Sequence, residues 1–316
     1  LLTAVPGIPE ELWHDRPPLP GHPVTEHDES LSGENRAAKH ARITEALAAH
    51  QADMTLLTSL SDLAWSFNLR GRDIPYNPVF LGYGIIGRDY NHLFTRPGAL
   101  DPLLEEKLRQ EGIVTAPYET FFSFLRELRG LSVLVDPSSA SCGVYLALRD
   151  HCRVVEAPSP AEMLKAVKNK TELEGFRESM RRDGVALVQF LDWLREHAGD
   201  PGVTEFTAGR QLAAFRAGQP GFMGESFRPI IGYREHGAIV HLSVGPENAL
   251  PLAREGVLLF DSGGQYLTGT TDITRTVALG AVTPRQKLDF TMVLKGVIRS
   301  EERRVGKECR SRCAPY

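Results

Sequence analysis

The sequence has few cysteines, no long apolar run and no excess of positive charge, and each deficit excludes a class of protein. Its four cysteines form no CxxC pair and imply no disulfide framework. No segment approaches the roughly 18 consecutive apolar residues that a membrane-spanning helix requires. The net charge of −4 supplies no basic field to attract nucleic acid. These deficits predict a protein with neither a membrane nor a nucleic acid as its partner.

The first residues, LLTA, also lack the basic and apolar segments of a secretory signal peptide, so we expect a cytoplasmic protein. The chain does not begin with Met, and its first residue therefore need not be the native start. Its 42% hydrophobic and 24% charged residues are typical of globular proteins, and 316 residues suffice for two domains.

Four segments follow one another along the chain. Residues 1–32 are rich in proline and charge and are interpreted as a connector from a missing first domain. Residues 33–163 alternate helical and strand patterns, which predicts an α/β domain. Residues 164–300 open with a long amphipathic helix and continue into short strands joined by Gly-rich turns. Residues 301–316, EERRVGKECRSRCAPY, contain almost no core-forming side chains and are interpreted as a non-native tail.

The strongest chemical signal is a pair of acids in the last third of the chain. The apolar run VLLF at 257–260 predicts a strand buried on both faces, and Asp261 follows it directly. Asp272 comes eleven residues later and begins the returning strand, predicted over 272–277, and Gly269 suggests the turn between them. A hairpin of this kind would bring the two carboxylates face to face, where they repel unless a proton or cation lies between them.

Spacing alone leaves two interpretations of this acid pair open. Oxygen ligands suit Mn²⁺ or Mg²⁺, and a set that includes imidazole also admits Zn²⁺ and Co²⁺. The alternative is a pair of capped or salt-bridged acids, with Arg275 as the obvious partner of one of them.

Two histidines precede the acid pair. His241 follows the apolar run AIV at 238–240, which predicts a strand over 238–242 that ends near this imidazole. A histidine in this position is a ligand, a proton shuttle or an ordinary edge residue, and the pattern alone favours the last. His236 follows Arg234 and Glu235 in a polar turn, so we expect it to face solvent.

Several segments together resemble the Xaa-Pro aminopeptidases of the creatinase-like, pita-bread metallopeptidase family M24, and the three-domain type in particular. The segments that carry the resemblance are 13–18, FNLRG at 67–71, NPVF at 77–80, 165–195, GAIVH at 237–241, FDSG at 260–263 and TDITRT at 271–276. The resemblance implies a creatinase N-terminal-like α/β domain followed by an incomplete pita-bread catalytic domain, an α/β (α+β) fold class overall.

The same resemblance implies roles for the singled-out residues. Asp261 would chelate one metal ion, Asp272 would bridge two, and His241 would contact substrate or help to move a proton. The cofactor would be two divalent ions, most often Mn²⁺, with Zn²⁺ or Co²⁺ as alternatives. The substrate would be a peptide with proline in second position, and the full-length parent would be a homodimer.

The sequence departs from the family where the ligand set should be completed. The family adds a further His and two Glu after the second Asp, but here no His follows His241. The only later glutamates are Glu301, Glu302 and Glu308, all in the predicted tail. We therefore expect a fragment that is truncated at both ends and inactive as written.

Two rival functions remain open at this stage. Prolidase, creatinase and methionine aminopeptidase share the fold, although the segments at 67–71 and 77–80 argue against them. A non-catalytic pita-bread module that binds peptides is the second rival, which the retained Asp261 and Asp272 disfavour.

Overall fold

The structure is a computed structural model that describes residues 12–304, with side chains described as far as residue 299. Residues 1–11 of the predicted connector and residues 305–316 of the predicted tail, with Cys309 and Cys313, lie outside the described residues. The chain divides into two compact units, Leu1–Glu178 with Leu267–Gly269, and Ser179–Tyr266 with Thr270–Tyr316. The domain limits expected at 32, 163 and 300 stay predictions.

The first unit alternates strands and helices, as its sequence predicts. Its strands are β1 (Thr25–Glu26), β2 (Met54–Leu57), β3 (Leu69–Arg70), β4 (Gly82–Gly87), β5 (Asn91–Thr95), β6 (Val114–Pro117), β7 (Ser132–Val135) and β8 (Arg153–Glu156). Its helices are α1 (Glu29–Ser32), α2 (Arg36–Ala48), α3 (Leu60–Ser66), α4 (Pro102–Gln110), α5 (Phe121–Glu127), α6 (Cys142–Leu148) and α7 (Pro160–Ala166), with a 3₁₀ turn at Tyr118–Thr120.

Six of these strands form one mixed sheet in the order β6-β5-β4-β2-β7-β8. β4 pairs antiparallel with β2 and β5, and the other three pairs are parallel. Neighbouring residues of one strand enter different apolar clusters: Leu57 packs with Phe67, whereas Leu56 packs with Phe121. Because successive side chains of a strand point to opposite faces, both faces of this sheet are buried. The predicted α/β class is confirmed.

Short polar side chains set the beginnings of the helices. Asn35 caps α2 by accepting from the Ala38 N–H at 2.9 Å, and Asp101 caps α4, which has Pro102 in its first turn. Helix α3 begins one residue after Ser59, whose side chain makes no capping hydrogen bond, and buried Asp62 in its first turn accepts from Lys165 Nζ at 2.6 Å.

The limit between the two units falls within the long helix α8 (Lys170–His197). The second unit continues with α9 (Glu205–Ala217), β9 (Phe222–Glu225), β10 (Ile230–Tyr233), a 3₁₀ helix (Arg234–Ala238), β11 (Val257–Ser262), β12 (Gly264–Tyr266), β13 (Gly269–Thr270), β14 (Ile273–Ala278) and α10 (Pro284–Arg304). β11 is the central strand of an antiparallel sheet in the order β10-β11-β14, and β12 pairs antiparallel with β9.

The core of the second unit lies on one face of the β10-β11-β14 sheet. Leu258 and Phe260 of β11 pack there against Leu187 and Phe190 of α8. The alternate residues of β11 are only half-buried, so the expected burial on both faces is wrong. An antiparallel sheet needs only one covered face, and its strands alternate accordingly. Asp261 belongs to the face that is opposite to this core.

The buried face of α8 is not purely apolar. Met180 and Leu191 are exposed, whereas Asp183 is fully buried. Arg216 of α9 makes this burial possible, since its guanidinium donates to both Asp183 oxygens at 2.6 and 3.0 Å. Apolar spacing cannot reveal a face that includes a paired charge.

None of the helices within residues 12–304 has the combination of length and hydropathy that crossing a bilayer requires. Helix α10 nevertheless exposes many large apolar side chains. They are Leu288, Phe290, Met292, Val293, Leu294, Val297 and Ile298, each at least 45% exposed. So much contiguous apolar surface is unusual for a monomer in water.

We expect this chain, when purified alone, to self-associate and to bind a dye such as ANS, because α10 leaves its apolar side chains in water. Light scattering after size exclusion and dye fluorescence measure both effects. A Val293→Lys, Val297→Lys double variant should lower them, and Thr291→Lys, which removes no large apolar side chain, should not. A monodisperse wild-type chain without dye binding would contradict the expectation.

Candidate metal centre

Asp261 of β11 and Asp272, which directly precedes β14, lie on the same face of this strand pair. Asp261 is paired with Thr274 in the β11–β14 register, and Asp272 comes two residues before Thr274. Residues two apart in a strand share a face, and a diagonal neighbour on the adjacent strand is within reach of a carboxylate. The hairpin between the strands therefore brings the two acids together, with Asp261 half-buried and Asp272 exposed.

The two carboxylates influence each other directly. Partial burial raises the pKa of Asp272, and the negative charge of Asp261 and a hydrogen bond between the two carboxyl groups raise it further. Oδ1 of Asp261 is buried and has no hydrogen-bond partner in the described part of the chain. A raised carboxyl pKa means that folding disfavours the ionised form, so this charge costs stability at neutral pH and a proton or cation relieves the cost.

Arg275, the alternative partner, does not neutralise the pair. It is exposed, and its guanidinium donates to the backbone oxygen of Thr274 at 2.8 Å. Within residues 12–299, no ion pair joins Arg275 to Asp261 or Asp272. The salt-bridge interpretation that spacing left open has no support in this geometry.

Backbone contacts hold the segment between the two acids in place. Ser226, which follows β9, donates from its N–H to the Gly263 oxygen at 3.0 Å and from its hydroxyl to the Thr271 oxygen at 2.8 Å. Gly264 N–H donates to the Thr271 hydroxyl at 2.9 Å. Gly263 comes two residues after Asp261, and Thr271 directly precedes Asp272. These bonds therefore fix how closely the two chain segments approach each other beside the acid pair.

A Gly263→Ala substitution tests this close approach, because the new Cβ would overlap the Thr271 carbonyl oxygen and the Ser226 hydroxyl. We expect a loss of about 2 to 3 kcal/mol in the free energy of unfolding, measured by urea denaturation. Gly184→Ala is the matched control, since a Cβ there meets no atom within 4 Å. Equal stabilities of the two variants would show that the strands separate easily at this point.

His241 is not at the end of a strand, so the strand predicted over 238–242 is wrong. Arg234 adopts a left-handed φ of 51° directly after β10, and the chain turns into the 3₁₀ helix and then into a turn at Val240 and His241. The apolar side chains that suggested a strand are exposed, Val240 by 79%. His241 itself is exposed, and its proposed role stays a prediction.

His236 and Glu205 form a contact that sequence reasoning missed. His236 was expected to face solvent, but its ring is only 21% exposed and its Nδ1 lies 2.9 Å from Oε2 of fully buried Glu205. The same carboxylate accepts from the N–H groups of Tyr233 and Leu250 at 2.7 and 2.9 Å. A glutamate in the first turn of a helix normally faces solvent, so the sequence held no signal for this burial.

The acid pair fits part of a divalent-metal site. It offers carboxylate oxygens, one of which is buried without a hydrogen-bond partner in the described part of the chain, and its two negative charges repel each other. A hard cation binds such oxygens and offsets this repulsion. Within the described residues, no group of three or more His, Cys, Asp or Glu is arranged to hold a metal ion. Asp261 and Asp272 are therefore the residues of this part of the chain that would contribute ligands.

Comparison with known proteins places these features in a family. A model described as Creatinase/Prolidase N-terminal domain matches residues 15–172, and one described as Metallopeptidase family M24 matches residues 174–309. A probable Xaa-Pro aminopeptidase P of Laccaria bicolor is 39% identical over 94% of this chain, and one of Chaetomium globosum is 38% identical over 92%. The alignments cover 47% and 49% of those proteins, so the chain spans about half of their length.

Solved structures agree with this assignment. The X-prolyl aminopeptidase of Caenorhabditis elegans, described as a cytosolic enzyme with a di-nuclear active site, superposes with a TM-score of 0.81 at 29% identity. The alignment covers 90% of this chain and 48% of that protein. The Xaa-Pro dipeptidase of Bacillus anthracis, with a TM-score of 0.64 and 19% identity over 84% of this chain and 71% of that one, shares the fold.

These matches confirm the resemblance predicted from the motifs, and the chain belongs to the creatinase/prolidase family, with a creatinase N-terminal domain followed by a pita-bread metallopeptidase domain of family M24.

Proposed function

We propose that this chain is part of a metal-dependent Xaa-Pro aminopeptidase, which releases the N-terminal residue from peptides with proline in second position. The observation that carries the proposal is the contact between Asp261 and Asp272, with an unpartnered buried oxygen on one of them. A binding module has no need of two facing carboxylates, whose repulsion costs stability unless a cation is present.

In this proposal Asp261 would chelate one metal ion and Asp272 would bridge two, and the β11–β14 pairing positions both carboxylates. The bound ions would supply Lewis-acid chemistry, which activates water and polarises a carbonyl. His241, exposed in its turn, would contact the peptide or help to move a proton.

The chemistry of the two acids favours hard ions, and we propose Mn²⁺ as the physiological metal, with Zn²⁺ or Co²⁺ as alternatives. We also propose that the whole protein acts in the cytoplasm, in keeping with the cytosolic enzyme of Caenorhabditis elegans. We propose further that it acts as a homodimer.

The substrate preference is tested with the whole protein and added Mn²⁺. We expect release of the N-terminal arginine from Arg-Pro-Pro and slower turnover of Xaa-Pro dipeptides. Faster cleavage of the dipeptides would identify a prolidase. Binding of both peptides without cleavage would identify a non-catalytic module.

Residues 1–316 alone should not hydrolyse Arg-Pro-Pro with added Mn²⁺. Two carboxylates leave most of the positions around two ions, which each take about five or six ligands, without protein donors. Mass spectrometry of the peptide before and after prolonged incubation measures this directly. Turnover by this chain would show that it supplies a complete site.

A further inference from the structure

One buried carboxylate holds both ends of the segment that carries His241. Residues 237–249 run from the 3₁₀ helix to the end of an irregular, mostly exposed stretch. Just before this segment, the His236 ring bonds Glu205, and just after it, the Leu250 N–H bonds the same side chain. Glu205 therefore connects the start and the end of a segment of 13 residues.

The two ends are held unequally. The backbone oxygen of Leu250 also accepts from the Glu205 N–H at 3.0 Å, and the Leu252 N–H donates to the backbone oxygen of Val203 at 2.9 Å. Backbone hydrogen bonds therefore hold the end of the segment at Leu250 without the carboxylate. The first end leaves β10 at Tyr233, whose N–H donates to Glu205 at 2.7 Å, and then depends on the His236 ring. Because a carboxylate only accepts, the proton of that contact lies on Nδ1.

We propose that Glu205 and His236 form a clamp that positions the segment 237–249, with His236 as a positioning residue for His241. Within the segment, the Ile239 N–H donates to the backbone oxygen of His236 at 3.1 Å, and the Leu242 N–H donates to the backbone oxygen of Ile239 at 3.2 Å. The first of these bonds is accepted by His236, and the second spans His241. The contact between the His236 ring and Glu205 therefore sets where the turn that carries His241 starts.

Hydrogen exchange of this chain tests the clamp without any requirement for activity. In His236→Ala, we expect the Ile239 and Leu242 amides to exchange about 10-fold faster or more, because a bond to a charged acceptor is lost. Amides of β11 should keep their rates. His236→Gln retains an N–H donor and should restore most of the protection.

Glu255→Gln is the matched control, because it disturbs the exposed ion pair with Arg234 in the same stretch and leaves the clamp intact. It should exchange as the wild type does. Unchanged rates at Ile239 and Leu242 in His236→Ala, or equal loosening in His236→Gln and His236→Ala, would overturn the proposal. Hydrogen exchange is measured in the His236 variants, so the test needs no Glu205→Gln variant. A failure of Glu205→Gln to fold would therefore leave the result unchanged.

The consequence for substrate rests on the proposed aminopeptidase function and is tested separately. In the whole protein, His236→Ala should lower kcat/KM for Arg-Pro-Pro about 10-fold, and His236→Gln should recover most of it. If the whole protein lacks aminopeptidase activity, the proposed function fails while the exchange result still decides the clamp. Faster exchange with unchanged kinetics would overturn the positioning role of His236.

Discussion

An Asp272→Asn substitution in the whole protein is expected to lower kcat/KM for Arg-Pro-Pro by at least about 10³-fold, since loss of residues that merely support a ligand already costs about 10- to 100-fold. The amide keeps the size of the side chain but removes the charge that a bridging ligand supplies. Steady-state kinetics with Mn²⁺ in excess measures the effect. Asp289→Asn, in an exposed i,i+4 pair with Arg285, is the control and should keep full activity.

The same substitution separates loss of a ligand from loss of the fold. The pKa of Asp272 is raised in the folded chain, so its ionised form is less stable there than in the unfolded chain. Removing this charge should therefore leave the metal-free Tm at neutral pH at or above that of the wild type. A variant that is inactive and also melts far lower would point to a structural role instead.

An Arg216→Met substitution is expected to destabilise the second unit by about 3 to 5 kcal/mol, because it leaves buried Asp183 without its cation. Both side chains are essentially inaccessible to water, and Tyr266 adds a hydrogen bond to Asp183 Oδ1 at 2.9 Å. Urea denaturation of the chain, followed by far-ultraviolet circular dichroism, measures the loss.

The double variant Arg216→Met, Asp183→Leu is the decisive companion to this experiment. Replacing a whole buried ion pair with apolar side chains is often neutral in stability, whereas removing one partner is not. The double variant should therefore recover most of what Arg216→Met loses. A single variant that loses less than about 1 kcal/mol would mean that water reaches Asp183.

Local patterns predicted much of the first unit. The alternation of helical and strand patterns over residues 33–163 predicted its α/β class, and Asn35 and Asp101 cap α2 and α4 through their own side chains. The strands β2 and β7 are short, largely apolar runs in the sequence, MTLL and SVLV. These elements depend on nearest neighbours, which is the information that one sequence carries.

The candidate site was predictable only in part. Asp261 and Asp272 stood out because a charged residue next to a buried strand needs a partner. The contacts of Glu205 with His236 and of Asp183 with Arg216 join residues 31 and 33 positions apart, and no local pattern announces them. The turn at His241 was misjudged because three exposed apolar residues look like a strand when their neighbours in space are unknown.

The most direct test of the central claim is a titration of this chain with Mn²⁺, followed by the electron paramagnetic resonance signal of the free ion. The account predicts that the wild-type chain binds Mn²⁺ with a dissociation constant on the order of 10⁻³ M, as expected of a small carboxylate site. Asp261→Asn and Asp272→Asn should each abolish this binding, and Asp289→Asn should not. Equal binding by the wild type and both site variants, or no binding by any of them, would contradict the assignment of Asp261 and Asp272 as metal ligands.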